Sequence, residues 1–204
     1  MRGYTSGVSR IPRLSPAELD DEQRRLYDSI TGGPRARDSV GMTDHNGALG
    51  GPFNAMLLHP PVGDALQQLG AAIRYGGTLT DRSREMAILI VATATHSGFE
   101  QYAHEHIGLR LGLTEGEVAA IRDGGEPRLD NPDEAAIVRT TRRLVDHGTL
   151  TDDEYAEASA ALGAGTLFEL TTLVGYYQLI AMQMHVFGVD RPGRRPGSTT
   201  LRDD

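Results

Sequence analysis

Glu100 and His104 stand four residues apart, the spacing at which two side chains meet on one helix face. A histidine titrates near neutral pH, and a carboxylate beside it can orient or charge its ring, so the pair could move protons. The same spacing also fits a solvated surface pair contributing roughly 0.3 kcal/mol. Glu85 shares a helical stripe with Ile88, Leu89 and Ala92. A carboxylate on an apolar face must find a partner or have its pKa raised by burial. The competing reading is an acid near a helix N-terminus, favoured by the helix dipole, with Arg82 and Arg84 as neighbours.

His96, Glu100 and His104 would share one broad face if a helix ran through Gly98. Two histidines and a carboxylate at that spacing could ligate Zn²⁺ or Fe²⁺. Gly98 interrupts the run, however, and no nearby acid completes the set, so neither a metal nor another cofactor is expected. Of the other histidines, His106 points away from His104, and His147 precedes Gly148 at a helix end, where a cation suits the dipole. His59 lies before Pro60-Pro61. His185 sits among Met182, Met184 and Phe187, as a core residue or one facing a cavity. Tyr176 and Tyr177 read as packing residues whose hydroxyls reach a partner.

Composition removes many chemistries. The 204 residues hold 28 acids and 20 bases, for a net charge of −8, and every base is arginine. Without cysteine there is no disulfide, thiolate nucleophile or redox CxxC pair. Without lysine there is no imine-forming amine and no P-loop. The acidic balance argues against nucleic acid as a partner. No apolar run approaches the ~20 residues of a bilayer span, and residues 1–13 lack a signal-peptide core. No membrane association is therefore expected, and the cytoplasm is the default location.

The elements that must position these residues are helices. Ser15-Pro16 signals a helix start, running to about residue 30. Residues 31–51, rich in glycine, asparagine and aspartate, read as a long loop. Further helices are expected over 52–59, 62–75, 81–96, 99–111, 114–123, 133–147, 151–162 and 166–187. The 81–96 segment is apolar almost all round and should be central. The fold class is all-α with about eight helices, as one domain over 11–189 with flexible tails at 1–10 and 190–204. Two strongly apolar helices suggest that one packs in a subunit interface.

Three segments carry a resemblance. GPFNAMLLHPPVGDALQQLGAAIRYGGTLTDRSREMAIL, FEQYAHEHIGLRLGL and FELTTLVGYYQLIAMQMHVFGV, in that order, resemble the carboxymuconolactone decarboxylase family of the alkyl hydroperoxidase D-like superfamily. Its redox members carry a glutamate, a CxxC pair and then a histidine. On this chain those positions fall on Glu85, on Ser97 and Glu100, and on His104, so both sulfurs are missing. The resemblance implies an all-helical bundle assembled as a homo-oligomer, a trimer or hexamer. It implies catalytic roles for His104, Glu100 and Glu85.

The activity so implied is that of a cofactor-independent lyase acting on a small anionic unsaturated lactone or acid. The alternatives are an isomerase or cyclase of secondary metabolism, or a ligand-binding oligomer without catalysis. Thiol peroxidase activity is excluded. His96, Arg74, Arg82 and His185 are candidate substrate-binding residues. One geometric difficulty stands: Glu85 and Glu100 are separated by about 22 Å along a straight helix. They can share a site only if the chain turns near Ser97-Gly98 or another subunit contributes one of them, and a full reversal still leaves a gap.

Overall fold

The computed structural model describes residues 9–34 and 42–189. Among them are eight α-helices and no strand, only an isolated antiparallel bridge between Thr43 and Leu49. Most of the tails at 1–10 and 190–204 lies outside the described residues. Arg10, within the first tail, is tied to the end of the last helix through the carbonyls of Val186 and Phe187.

The first helix begins later than its serine-proline signal suggests. Ser15-Pro16 opens only a 3₁₀ turn, Pro16–Glu18, whose Glu18 carboxylate accepts the Ser15 N–H. The helix proper, α1 (Asp21–Gly32), is capped by Asp20, which accepts the N–H groups of Glu22 and Gln23 while Gln23 reaches back to Asp20. That second capping box supports a full helix because Leu26 and Ile30 then face the core. The loop expected over 31–51 is in part a packed segment: Met42, Ala48 and Leu49 are buried. Asp44 accepts the N–H groups of Asn46 and Ala48 to fold the turn between them.

Helices α2 (Gly51–Met56) and α3 (Pro60–Tyr75) follow, then α4 (Asp81–Ala94), α5 (Gly98–Arg110), α6 (Glu115–Arg122) and α7 (Pro132–His147). Helix α4 is the hub, as its all-round apolarity required. Every residue from Ser83 to Ala92 is buried, and the helix touches α5, α6, α7 and α8 (Asp152–Phe187). Ile88 and Val91 face the main core with Leu170, Leu173 and Ile180, while Met86, Leu89 and Ile90 face α6 and α7 through Val118, Ile121 and Val138.

Helix α8 joins the two C-terminal segments expected from the sequence. Gly163, at φ 75° and ψ 156°, breaks it, in a backbone region that favours glycine. Its length and a mean hydropathy of 1.2 over an 18-residue window are enough to cross a membrane by length and composition. This corrects the expectation that no segment approached that threshold. One side of α8 nevertheless belongs to the core, through Leu170, Leu173, Val174, Tyr177, Ile180 and Met184.

Candidate active site

The separation between Glu85 and the second helix is resolved by a tight hairpin. Helix α4 ends at Ala94, His96 takes a left-handed φ of 54°, and Ser97 starts α5 in the reverse direction. Antiparallel return brings His104, rather than Glu100, level with Glu85. Glycine at 108 makes room for the Leu113 side chain, 2.7 Å from where a Cβ would stand, while the Glu85 Cβ lies at an ordinary contact distance of 3.7 Å.

The result is a carboxylate–imidazole–carboxylate chain. His104 Nδ1 lies 2.5 Å from Glu85 Oε2, and His104 Nε2 lies 3.1 Å from Glu100 Oε2. All three residues are buried, Glu85 completely. No gap is left for water or substrate to span, which corrects the earlier geometric expectation: His104 itself bridges the two acids. With an acceptor oxygen at each ring nitrogen, the form that satisfies both contacts is the imidazolium, which donates from both.

The electrostatics agree. Burial alone would depress the His104 pKa, but the charge of Glu85 and the hydrogen bonds to Glu100 and Glu85 outweigh it, so the imidazolium persists above its ordinary value of 6.5. Burial would raise Glu85, yet the charge and hydrogen bond of His104, with Arg74 and Arg84 nearby, hold it below its ordinary 4.5.

Two further residues complete the cluster. Arg74, at the end of α3, approaches Glu85 Oε1 at 3.4 Å and donates to the Tyr177 hydroxyl. Burial works against its charge, and Tyr177 and Glu85 more than restore it. The Tyr177 ring stands edge-on to His104, with centroids 5.4 Å apart and planes at 88°. Burial raises its hydroxyl pKa, so the phenol stays protonated. The sequence offered Tyr177 only as packing with a partnered hydroxyl. Its position among the uncharged, core-facing residues of α8 was the available signal.

The remaining candidates lie elsewhere. His96 is exposed in the α4–α5 turn, off the face it would have shared in a continuous helix. The metal-ligand triplet is therefore not assembled. Among the described residues no group of three or more histidines and acids is placed to hold a metal. Arg82 is already committed: Nε donates to Glu134 at 2.9 Å, Nη2 to Glu117 at 2.9 Å, and Nη1 to the Gly112 carbonyl. With every guanidinium nitrogen held, it clamps α4 to α6 and α7, and the expectation that it grips a substrate carboxylate is set aside. His185 Nε2 sits 2.7 Å from the Thr95 carbonyl and ties the end of α8 to the hairpin turn.

The helical bundle has the alkylhydroperoxidase D-like fold. The structure is similar to an alkylhydroperoxidase AhpD core, a peroxidase-related protein from Ralstonia eutropha JMP134 (TM-score 0.72, 15% identity, 92% of this chain and 94% of that one). It is similar to a peroxidase-related protein from Silicibacter sp. TM1040 (TM-score 0.68, 11% identity, covering 89% and 90%). It also resembles a cysteine-to-alanine variant of the debrominase Bmp8 in complex with 2,3,4-tribromopyrrole (TM-score 0.66, 12% identity, covering 91% and 95%). Residues 60–143, from α3 into α7, match the Carboxymuconolactone decarboxylase family. No curated protein matches the chain.

Proposed function

We propose that the protein is a cofactor-independent proton-transfer enzyme of decarboxylase type, acting on a small, anionic, unsaturated lactone or acid. The observation that carries this reading is the His104 ring held between Glu85 and Glu100 in a chain without cysteine. When the substrate's C–CO₂⁻ bond breaks, CO₂ leaves and the electron pair passes into the conjugated carbonyl. The resulting dienolate takes a proton at carbon. His104 supplies that proton from its Nε2 side, where Glu100 shares it. Glu85 fixes the ring through Nδ1 and offsets its charge, the role of an orienting carboxylate. Arg74, half-buried beside Glu85, is the cation available for a substrate carboxylate.

A second reading keeps this proton relay and changes the substrate, toward an isomerase or cyclase activity. It is favoured by the segment before residue 60, outside the matched family stretch. Gly51, at φ 56°, presses against the Phe99 ring in the first turn of α5, where an added Cβ would lie 2.3 Å from it. Phe99 adjoins Glu100, so this segment bears on the surroundings of the relay.

The test is CO₂ release from 4-carboxymuconolactone by the purified protein and by His104→Ala. Release by the wild type and its loss in the variant is the expected result. Undiminished release by the variant removes His104 from the mechanism. Turnover of other unsaturated lactones without CO₂ release assigns the second reading.

A further inference from the structure

Helices α1, α6 and α8 each begin with a closed capping box, at Asp20–Gln23, Thr114–Glu117 and Thr151–Glu154. In each, the first side chain accepts the N–H of the last residue, and the last side chain accepts the N–H of the first. Ser97 and Glu100 have the same spacing at the start of α5, yet neither half of a box forms there. The hairpin turn is the cause. Helix α4 ends in a Schellman arrangement, in which the His96 N–H donates to the Thr93 carbonyl at 3.1 Å and the Ser97 N–H to the Ala92 carbonyl at 2.9 Å. With that N–H taken, the Glu100 carboxylate goes to His104 instead. Ser97 also has ψ 94°, against 175°, 155° and 167° at the three closed boxes, which moves its hydroxyl off the Glu100 N–H.

Donors are left without acceptors as a result. The Ser97 Oγ is buried and has no hydrogen-bond partner, in a residue only 2% exposed. Among the described residues, no acceptor stands at the backbone N–H groups of Gly98, Phe99 and Glu100. A buried hydroxyl without a partner costs free energy, and in a folded protein it calls for a reason. Of residues 97–100 only Gly98 is exposed in part, and it has no side chain to cover the turn.

We propose that this open N-terminus is an oxyanion site, where the Ser97 hydroxyl and the first N–H groups of α5 receive the substrate's carbonyl oxygen. Under the decarboxylase-type reading, on which this rests, the electron pair of the broken C–CO₂⁻ bond comes to rest on that oxygen. A helix N-terminus favours negative charge. Donors held in place before the charge develops stabilise the transition state more than the ground state. Residues 97, 100 and 104 follow one another at steps of three and four, so they share a face of α5, with the oxygen donors and the proton donor on either side of Glu100. As carbon takes the proton from His104, the oxyanion's electron pair re-forms the carbonyl and the oxygen is released. The substrate so defined has a carbonyl conjugated with the bond that breaks, and its carbonyl end lies at Ser97.

The experiment compares the full chain with its Ser97→Ala and Ser97→Thr variants. With 4-carboxymuconolactone, Ser97→Ala should lower kcat by about 100-fold and leave KM nearly unchanged. Ser97→Thr keeps the hydroxyl and should recover most of the rate. An unchanged kcat in Ser97→Ala overturns the proposal. A second probe does not depend on decarboxylation. The anion of 4-nitrophenol carries its charge on a conjugated oxygen and absorbs differently from the neutral phenol. The wild type should bind the anion and lower the phenol's apparent pKa, and Ser97→Ala should bind it about 10-fold more weakly or worse. Ser97-dependent binding without CO₂ release upholds the oxyanion site and rejects the lactone as substrate; equal affinity in the two proteins overturns the site. Urea midpoints separate this role from capping. Thr151→Ala, which opens a closed box, should lower the midpoint, whereas Ser97→Ala should not. Equal losses would make Ser97 an ordinary cap and overturn the proposal.

Discussion

Helix α4 carries two charged clusters three residues apart, and they differ in what their charges leave undone. Around Arg82 every guanidinium nitrogen has an acceptor, and Glu117 is engaged a second time by the N–H and hydroxyl of Thr114. The Arg82 guanidinium is held even more firmly protonated by Glu134 and Glu117. Around Glu85 the central group is a histidine, with an acid at each ring nitrogen. The first arrangement can only hold helices together. The second can hold, release and recover a proton. Ion pairing and burial are therefore not in themselves marks of a site; a titratable group in the middle of the network is.

This contrast can be broken in order of expected effect. Replacing His104 with alanine should cut turnover by about 10²–10⁴-fold, the usual contribution of a general acid, measured as initial rates of CO₂ release. Glu85→Leu should lower stability by about 3–5 kcal/mol in urea titrations, because it strands the buried charge of His104 and the half-buried charge of Arg74. A cost near zero would mean that Glu85 is protonated in the native state. Arg82→Ala should cost about 2 kcal/mol, the loss of charged hydrogen bonds, with turnover per folded molecule retained. A turnover loss matching that of His104→Ala would return Arg82 to the substrate site.

The smallest effect is a pH signature of the Glu85 cluster alone. Glu85 has a depressed native pKa, so its contribution is complete above its ordinary value of 4.5 and is lost as pH falls through the native one. His104 has a raised native pKa, so its contribution is complete below 6.5 and is lost as pH rises through the native one. The pair should therefore stabilise most between about pH 4.5 and 6.5. Urea midpoints measured across pH 4–9 should show this ridge in Arg82→Ala and lose it in Glu85→Leu.

Much of this was legible along the chain. Helices α4 to α7 follow their caps and stops, from Thr80 through Asn131 to Gly148. The all-round apolarity of α4 announced its central place. The errors arose where local signals competed. Ser15-Pro16 and Asp20 both offer a helix start, and only the second leads into residues that the core can bury. Gly98 marks an interruption in the sequence, and the face that would join His96 to Glu100 and His104 exists only in an unbroken helix. Arg82 and Arg74 look alike in sequence, two arginines on successive helices. What separates them is whether the neighbours that converge on each are two acids and a carbonyl, or a carboxylate already shared with a histidine.

The sequence by itself determined the kinds of chemistry open to this protein. With no thiol and no amine side chain, the titratable groups that remain are carboxylates, imidazoles, guanidinium groups and phenols, beside serine and threonine hydroxyls, and helical periodicity determines an all-α bundle around α4. The tertiary structure decided which of those groups meet. Glu85 and His104 are nineteen residues apart, and their contact depends on where the hairpin turns and on how far α5 slides along α4 before Gly108 and Leu113 pack. That offset is set by packing between helices rather than by any local preference, and a shift of one turn would have given Glu85 a different partner.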